Sequence, residues 1–265
     1  MIRMIATDLD GTLLATGGMT VPERNLKALA RAVELGVRVT ICTGRMFVGA
    51  RRFALLVPGD QPAVCVNGAV VRMSRSLEYV RRIGLEPARA LRLLELLRSC
   101  GAKPWFYVGD TCYAEEHTEA LEALRRRTGV TLELVPDLSA CTALRPEKIL
   151  CVQSTEQTAA LRARVGAELG TQLYITLSHP WQLEMMAPEA SKGKSLRDVA
   201  AAFGIGKEEI AAFGDNLNDL ELFTAAGTKV AMGNAEDELK ARAGIIAPTN
   251  DEGGLGAVVE RLLGE

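Results

Sequence analysis

Two histidines, His117 and His179, are all that this chain of 265 residues contains. A Ser-His-Asp relay or a histidine-rich zinc site is therefore not expected. Six cysteines are present, but no two of them form a Cys-x-x-Cys pair. Cys42 and Cys65 sit inside apolar, strand-like runs, where buried and inert thiols are expected, and a reducing cytoplasm fits. No run approaches 18 consecutive apolar residues, so no membrane span is expected. The opening Met1-Ile2-Arg3-Met4-Ile5 lacks the layout of a signal peptide. Charge of one sign is missing too: 31 Lys and Arg stand against 33 Asp and Glu. That balance gives no electrostatic case for nucleic acid or an anionic membrane as partner. The short clusters Arg51-Arg52, Arg81-Arg82 and Arg125-Arg126-Arg127 read as solvated helix or linker faces. Nothing in the chain speaks to its oligomeric state.

With 48% hydrophobic residues, the chain can build one or two domains with cores of their own. Residues 1 to 80 alternate strand and helix signals. A strand is expected over 2–7, a helix opened by Thr20 as N-cap with Pro22 just inside and stopped at Gly36, and a strand over 37–42. A helix over 46–57 and a strand over 63–66, ending at Asn67-Gly68, follow. Short buried strands alternating with helices imply a parallel sheet with helices on both faces. From about Arg82 the pattern changes to a helix opened by Pro87, a hairpin around Gly109-Asp110, and further strands with one or two more helices. From Ser191 the α/β rhythm returns. The expected organisation is a Rossmann-like, doubly wound α/β core made of residues 1–82 and 188–265, interrupted by an α+β insert over 83–187.

The polar motifs of the α/β half follow expected strands. Asp8 and Asp10 follow the first, Thr43 the second, Asn67 the third, and Asp215 the strand ending at Phe213. In open parallel sheets ligands bind outside the carboxyl ends of the strands, so these residues should converge. Asp8 and Asp10, two apart on an extended chain, should point the same way, and a divalent cation is a ready offset for their repulsion. Thr43 and Gly44, ahead of an expected helix at Met46, could seat a phosphate at its N-terminus; Thr43 alone reads equally well as an N-cap. Lys192, just after Ser191 as a possible N-cap, opposes the helix dipole, which makes sense if an anion lies beside it. Taken alone it reads as a solvated lysine. Asp215 and Asp219 flank Asn218, and a lone Asp at a helix start is usually a cap.

Taken in order, Asp8-Leu9-Asp10-Gly11-Thr12-Leu13, Thr43-Gly44-Arg45, Asn67-Gly68-Ala69, Lys192-Gly193 and Gly214-Asp215-x-x-Asn218-Asp219 resemble the motif series of the haloacid dehalogenase-like superfamily. The long insert resembles that of its Cof-type sugar-phosphate phosphatases with a type IIB cap. The resemblance spans essentially the whole chain. It implies a phosphatase acting on small phosphorylated metabolites, with Asp8 as nucleophile forming an aspartyl-phosphate and Asp10 as acid, then base. Mg²⁺ would be held by Asp8, the Asp10 carbonyl and Asp215, with Asp219 orienting the site. Thr43, Gly44 and Lys192 would bind phosphoryl oxygens, and Asn218 the phosphate or the substrate. Residues 12–19 would form a flap tipped by Gly17-Gly18. The insert would be a lid, with His179, Trp181 and Glu184 as candidate sugar contacts; for Trp181, packing in the lid's core is the competing reading. Two other functions stay open: a phosphohexomutase of the same superfamily, and a non-enzymatic phospho-receiver module, for which the insert is superfluous.

Overall fold

Along the chain, β1 (Met4–Thr7) leads through α1 (Glu23–Glu34) to β2 (Arg38–Cys42), and α2 (Phe47–Ala54) connects it to β3 (Pro62–Cys65) in the computed structural model, which describes residues 1–264. A hairpin of β4 (Val70–Met73) and β5 (Tyr79–Arg82) follows. The next stretch holds α3 (Pro87–Ser99), β6 (Pro104–Val108), β7 (Thr111–Ala114), α4 (Glu119–Thr128), β8 (Thr131–Leu134) and β9 (Lys148–Val152). It ends with α5 (Thr155–Leu169), β10 (Tyr174–His179) and β11 (Gln182–Met186). The chain returns through α6 (Lys192–Ala202), β12 (Ile210–Gly214), α7 (Leu220–Ala225), β13 (Thr228–Ala231), α8 (Asp237–Lys240), β14 (Ile245–Ile246) and α9 (Gly254–Leu263).

The strands form two sheets. The first has the order β14-β13-β12-β1-β2-β3-β4-β5, parallel from β14 to β3. Its strands β1, β3 and β12 are buried throughout, which is why they read as apolar runs without alternation. Helices α1 and α9 pack together, as do α6 and α7, giving the expected α/β core. The chain lays β2 and β3 on one side of β1 and later places β12 to β14 on the other, so the order reverses between β1 and β12. Thr7 pairs with both Ile41 and Phe213, so the carboxyl tips of β1, β2 and β12 end level. A reversal point of this kind opens a crevice at the strand tips. The second sheet, β10-β11-β9-β6-β7-β8, is antiparallel except where β8 joins β7. Trp105, Tyr107 and Leu150 from this sheet join the apolar cluster of the first, so the two layers close on each other.

Several local expectations differ from the structure. Pro22 is the N-cap of α1 rather than its first helical residue, and Thr20 instead accepts the Ala15 N–H through its carbonyl at 2.9 Å. The β4–β5 hairpin was not expected. Its strands carry Arg72, Arg81 and Arg82, which break the apolar run, and β5 tolerates them because it is an edge strand with exposed faces. Those arginines are not simply solvated: Arg81 pairs with Asp198, and Arg82 with the buried carboxylate of Glu147. Residues 217–219 form a tight turn ahead of α7 rather than its first residues. Among the described residues all six cysteines are free, with Cys42 and Cys65 buried. No described helix is long and apolar enough to cross a membrane.

Candidate active site

β1 stops at Thr7; Asp8 is still extended, at φ −63° and ψ 166°, and the chain turns after it. The Leu14 N–H returns five residues to the Leu9 carbonyl at 2.9 Å, and Gly11 has φ of +79°. A wide turn of this sort recurs at functional sites. It also sets Asp8 and Asp10 in different surroundings, because the turn falls between them. Asp8 is buried and turns inward; Asp10 is exposed and its carboxylate forks onto the Arg45 guanidinium, with Arg45 Nε at 2.7 Å.

Around Asp8 lies a buried ionic cluster. Lys192 Nζ, fully buried, donates to Asp8 Oδ1 at 2.6 Å and to Asp219 Oδ1 at 2.8 Å. Ser191 caps α6 by accepting the Lys194 N–H, which fixes where Lys192 enters. The anions beside this lysine at the helix start are therefore Asp8 and Asp219, and the two carboxylates hold its ammonium above the ordinary lysine range against the pull of burial. Asp219 Oδ2 accepts the N–H groups of Asp215 and Asn216 at 3.0 and 3.2 Å. Asp215 Oδ1 accepts from Thr12 Oγ1 at 2.6 Å. Ligand atoms of Asp8, Asp215 and Asp219 all lie within 4.8 Å of one another.

Three carboxylates share one ammonium here, and burial makes that imbalance costly. Burial, then the charges of Asp219, Asp215 and Asp10, push Asp8 well up despite the opposing pull of Lys192. Burial, then Asp219, push Asp215 up to about 7, with the Thr12 hydrogen bond opposing. A divalent cation would restore neutrality, and the donor set fits one. Among the described residues nothing donates to Asp8 Oδ2 or Asp215 Oδ2, whereas both oxygens of Asp219 are already engaged by Lys192 and backbone N–H groups. Three carboxylate residues in a buried cluster suit a hard cation such as Mg²⁺. Gly11 lets the two acidic loops meet, since a Cβ there would lie 2.3 Å from Asp215 Oδ2.

The second loop differs from expectation in one respect. Thr43 does not cap α2, which starts at Phe47; its hydroxyl accepts the Arg45 N–H at 3.1 Å instead. Nor is the α2 N-terminus open, because Asp110 from the β6–β7 hairpin takes the Val48 N–H at 3.1 Å. A seat for an anion therefore rests on the loop itself, where the Gly44 N–H has no acceptor among the described residues and Arg45 Nη1 is buried without a partner. Asn218 donates to Asn67 Oδ1 at 3.4 Å, placing it between the third and fourth loops. Gly17 and Gly18 both have positive φ, and Gly18 lies against Arg45 and Asp10 at the tip of the 12–19 loop.

Of the residues singled out on the insert, Glu184 is buried and His179 and Trp181 are not. The two rings stack with centroids 4.8 Å apart on the exposed β10–β11 turn, so Trp181 does not pack inside the insert. The roles of two side chains escaped the sequence reading. Arg45 was read as the third member of the Thr43-Gly44-Arg45 motif but was given no role of its own. Lys148 opens the apolar strand Ile149-Leu150-Cys151, and a lysine at such a place needs an anionic partner nearby. Its Nζ lies 3.0 Å from Glu184 Oε1 and donates to the Gly44 carbonyl at 3.0 Å.

A model of the haloacid dehalogenase-like hydrolases matches residues 5–259. The pyridoxal phosphate phosphatase YbhA of Escherichia coli is 32% identical over 257 residues, 94% of each chain. The 5-amino-6-(5-phospho-D-ribitylamino)uracil phosphatase YwtE of Bacillus subtilis is 28% identical over 286 residues, 99% of this chain and 98% of that one. A crystal structure of a haloacid dehalogenase-like hydrolase from Bacteroides thetaiotaomicron superposes with a TM-score of 0.89 at 26% identity, covering 99% of this chain and 100% of that one.

Proposed function

The chain belongs to the haloacid dehalogenase-like hydrolases, and from that premise we propose that it is a Mg²⁺-dependent phosphatase of small phosphorylated metabolites, acting through an aspartyl-phosphate on Asp8. The observation that carries this reading is the Asp8–Lys192–Asp219 cluster with Asp215 beside it at the point where the strand order reverses. Relatives named for phosphorylated pyridoxal and a phosphorylated ribitylaminouracil support a small metabolite as substrate.

A phosphate monoester resists attack because its dianion repels nucleophiles and its alkoxide leaves poorly, so catalysis rests on positioning and neutralisation. Mg²⁺ held by Asp8 and Asp215, with the Asp10 carbonyl, would neutralise phosphoryl charge. Lys192 opposes the upward push of burial on Asp8 and fixes which oxygen stays free. Asp8 attacks phosphorus as the bond to the leaving oxygen breaks, and Asp10 supplies the proton that oxygen takes. Having given up that proton, Asp10, oriented by the Arg45 fork, takes one from the water that hydrolyses the acyl phosphate. The different settings of the two acids, one buried beside Lys192 and one exposed beside Arg45, suit these different tasks. Gly44 N–H and Lys192 stabilise charge on the transferring group. The insert acts as a lid, excluding water and presenting the leaving-group pocket.

Steady release of inorganic phosphate from p-nitrophenyl phosphate, abolished by EDTA and restored by Mg²⁺, tests this reading. A single stoichiometric transfer, or indifference to chelation, would overturn it. Conversion of hexose 6-phosphate into hexose 1-phosphate would instead identify a mutase.

A further inference from the structure

The mechanism leaves one polar constellation unused. Lys148 and Glu184, neighbours on β9 and β11, are both almost wholly buried and form an ion pair at 3.0 Å. Within the insert, Ser178 Oγ donates to Glu184 at 2.6 Å and the Tyr107 ring lies 4.7 Å from Lys148 Nζ. A buried ion pair repays its desolvation only if its remaining hydrogen-bonding capacity is met. Here two of those bonds come from the other layer. Lys148 donates to the carbonyl of Gly44, and the Asn67 amide donates to Glu184 Oε2 at 2.5 Å.

Asn67 is held in an unusual way. Val66, Asn67 and Gly68 all have positive φ, at 50°, 50° and 98°. For a β-branched residue such as Val66 that conformation is a genuine outlier, retained only where surroundings over-determine it. The surroundings do so here. A Cβ on Gly68 would lie 2.2 Å from the Ser191 carbonyl oxygen, where α6 and Lys192 begin. Asn67 Oδ1 lies 3.1 Å from where a Cβ on Gly44 would stand, and it accepts from Asn218. One amide thus touches the phosphoryl loop, the Asn218 loop and the lid.

Resting on the phosphatase reading above, we propose that Asn67 is a positioning residue that couples lid closure to the catalytic loops, with Glu184 and Lys148 as its receivers on the lid. The lid's ion pair is complete only when the 66–68 turn presents the amide and Gly44 presents its carbonyl. Closure therefore selects the loop arrangement that seats the phosphoryl group, and that arrangement favours closure in return.

The test exchanges the acid and the amide. N67D keeps the size and the left-handed backbone but sets a carboxylate against Glu184; N67D combined with E184Q restores one donor facing one acceptor. With p-nitrophenyl phosphate and Mg²⁺, N67D should lower kcat on the order of 10- to 100-fold, the size of a hydrogen bond to a charged group. KM should change little, and the double variant should recover most of the loss. Hydrogen exchange over residues 44–49 and 147–150 supplies a readout independent of turnover: faster in N67D, slowed again in the double variant. If N67D does not fold, N67G, which accepts the same φ, should show the same loss and the same faster exchange. Unchanged exchange in a folded single variant, a loss confined to KM, or no recovery in the double variant would overturn the proposal. Wild-type protein that exchanges as described but releases no phosphate would instead sink the phosphatase reading and leave the coupling standing.

Discussion

Removing the metal should invert the ordinary pH dependence of this protein, and Asp215 sets the size of the effect. Its carboxyl titrates at about 7 in the fold against 3.8 for an ordinary aspartate, chiefly because it is buried and secondarily because Asp219 is near. Between those two values the native state retains a proton that the unfolded chain has released. The metal-free protein therefore loses stability as pH rises from about 4 to about 7, by about 4 kcal/mol at full effect. Burial of Asp8 acts in the same direction. Mg²⁺ must displace the proton, so its affinity should rise about tenfold per pH unit below 7 and flatten above. Titration calorimetry in two buffers of different ionisation enthalpy reads the proton directly: release should be larger at pH 6 than at pH 8. Thermal melting in EDTA gives the companion measurement, with a higher Tm at pH 5 than at pH 7. Mg²⁺ affinity that is flat from pH 5 to 7, or a metal-free Tm that climbs across that range, would refute the reasoning.

Lys192→Met strips the ammonium from two buried carboxylates and should destabilise the metal-free protein by about 3–5 kcal/mol, on the order of 10 °C in Tm. Calorimetry in EDTA checks it, and an unmoved Tm would mean the cluster is not held by this lysine. Gly11→Ala places a Cβ 2.3 Å from Asp215 Oδ2 at a φ of +79°, so phosphatase activity should fall on the order of 100-fold. Wild-type kinetics in that variant would show that the two acidic loops need not meet so closely. Asp10→Asn should nearly abolish hydrolysis of alkyl phosphates yet spare the first step with p-nitrophenyl phosphate, whose leaving group needs no proton. Equal losses with both substrates would remove Asp10 from the acid role.

The α/β core was legible because β1, β3 and β12 are buried on both faces and therefore read as unbroken apolar runs closed by polar tips. Reading those tips together drew Asp8, Asp10, Thr43, Asn67 and Asp215 to one place, and the ordered motif series added Lys192 and Asp219, which single motifs would not have done. What stayed hidden depends on tertiary partners. The β4–β5 hairpin carries arginines whose acids, Asp198 and Glu147, lie far along the chain. The α2 N-terminus looked open because Asp110, which occupies it, is 62 residues away. Glu184 looked like a substrate contact because a lone glutamate shows neither its burial nor its claim on Lys148 and Asn67. The exposed setting of Asp10 was not legible for a local reason: alternation holds only while the chain stays extended, and the turn after Asp8 breaks it.

Covalent capture of the phosphoryl group by Asp8 is the central step of the proposed reaction. Acid quench of Asp10→Asn during turnover of p-nitrophenyl phosphate, followed by peptide mass spectrometry, tests it most directly. A phosphoryl adduct on Asp8, absent when Asp8→Ala is added, is the expected result. Sustained phosphate release by Asp8→Ala, or an adduct on any other residue, would contradict it.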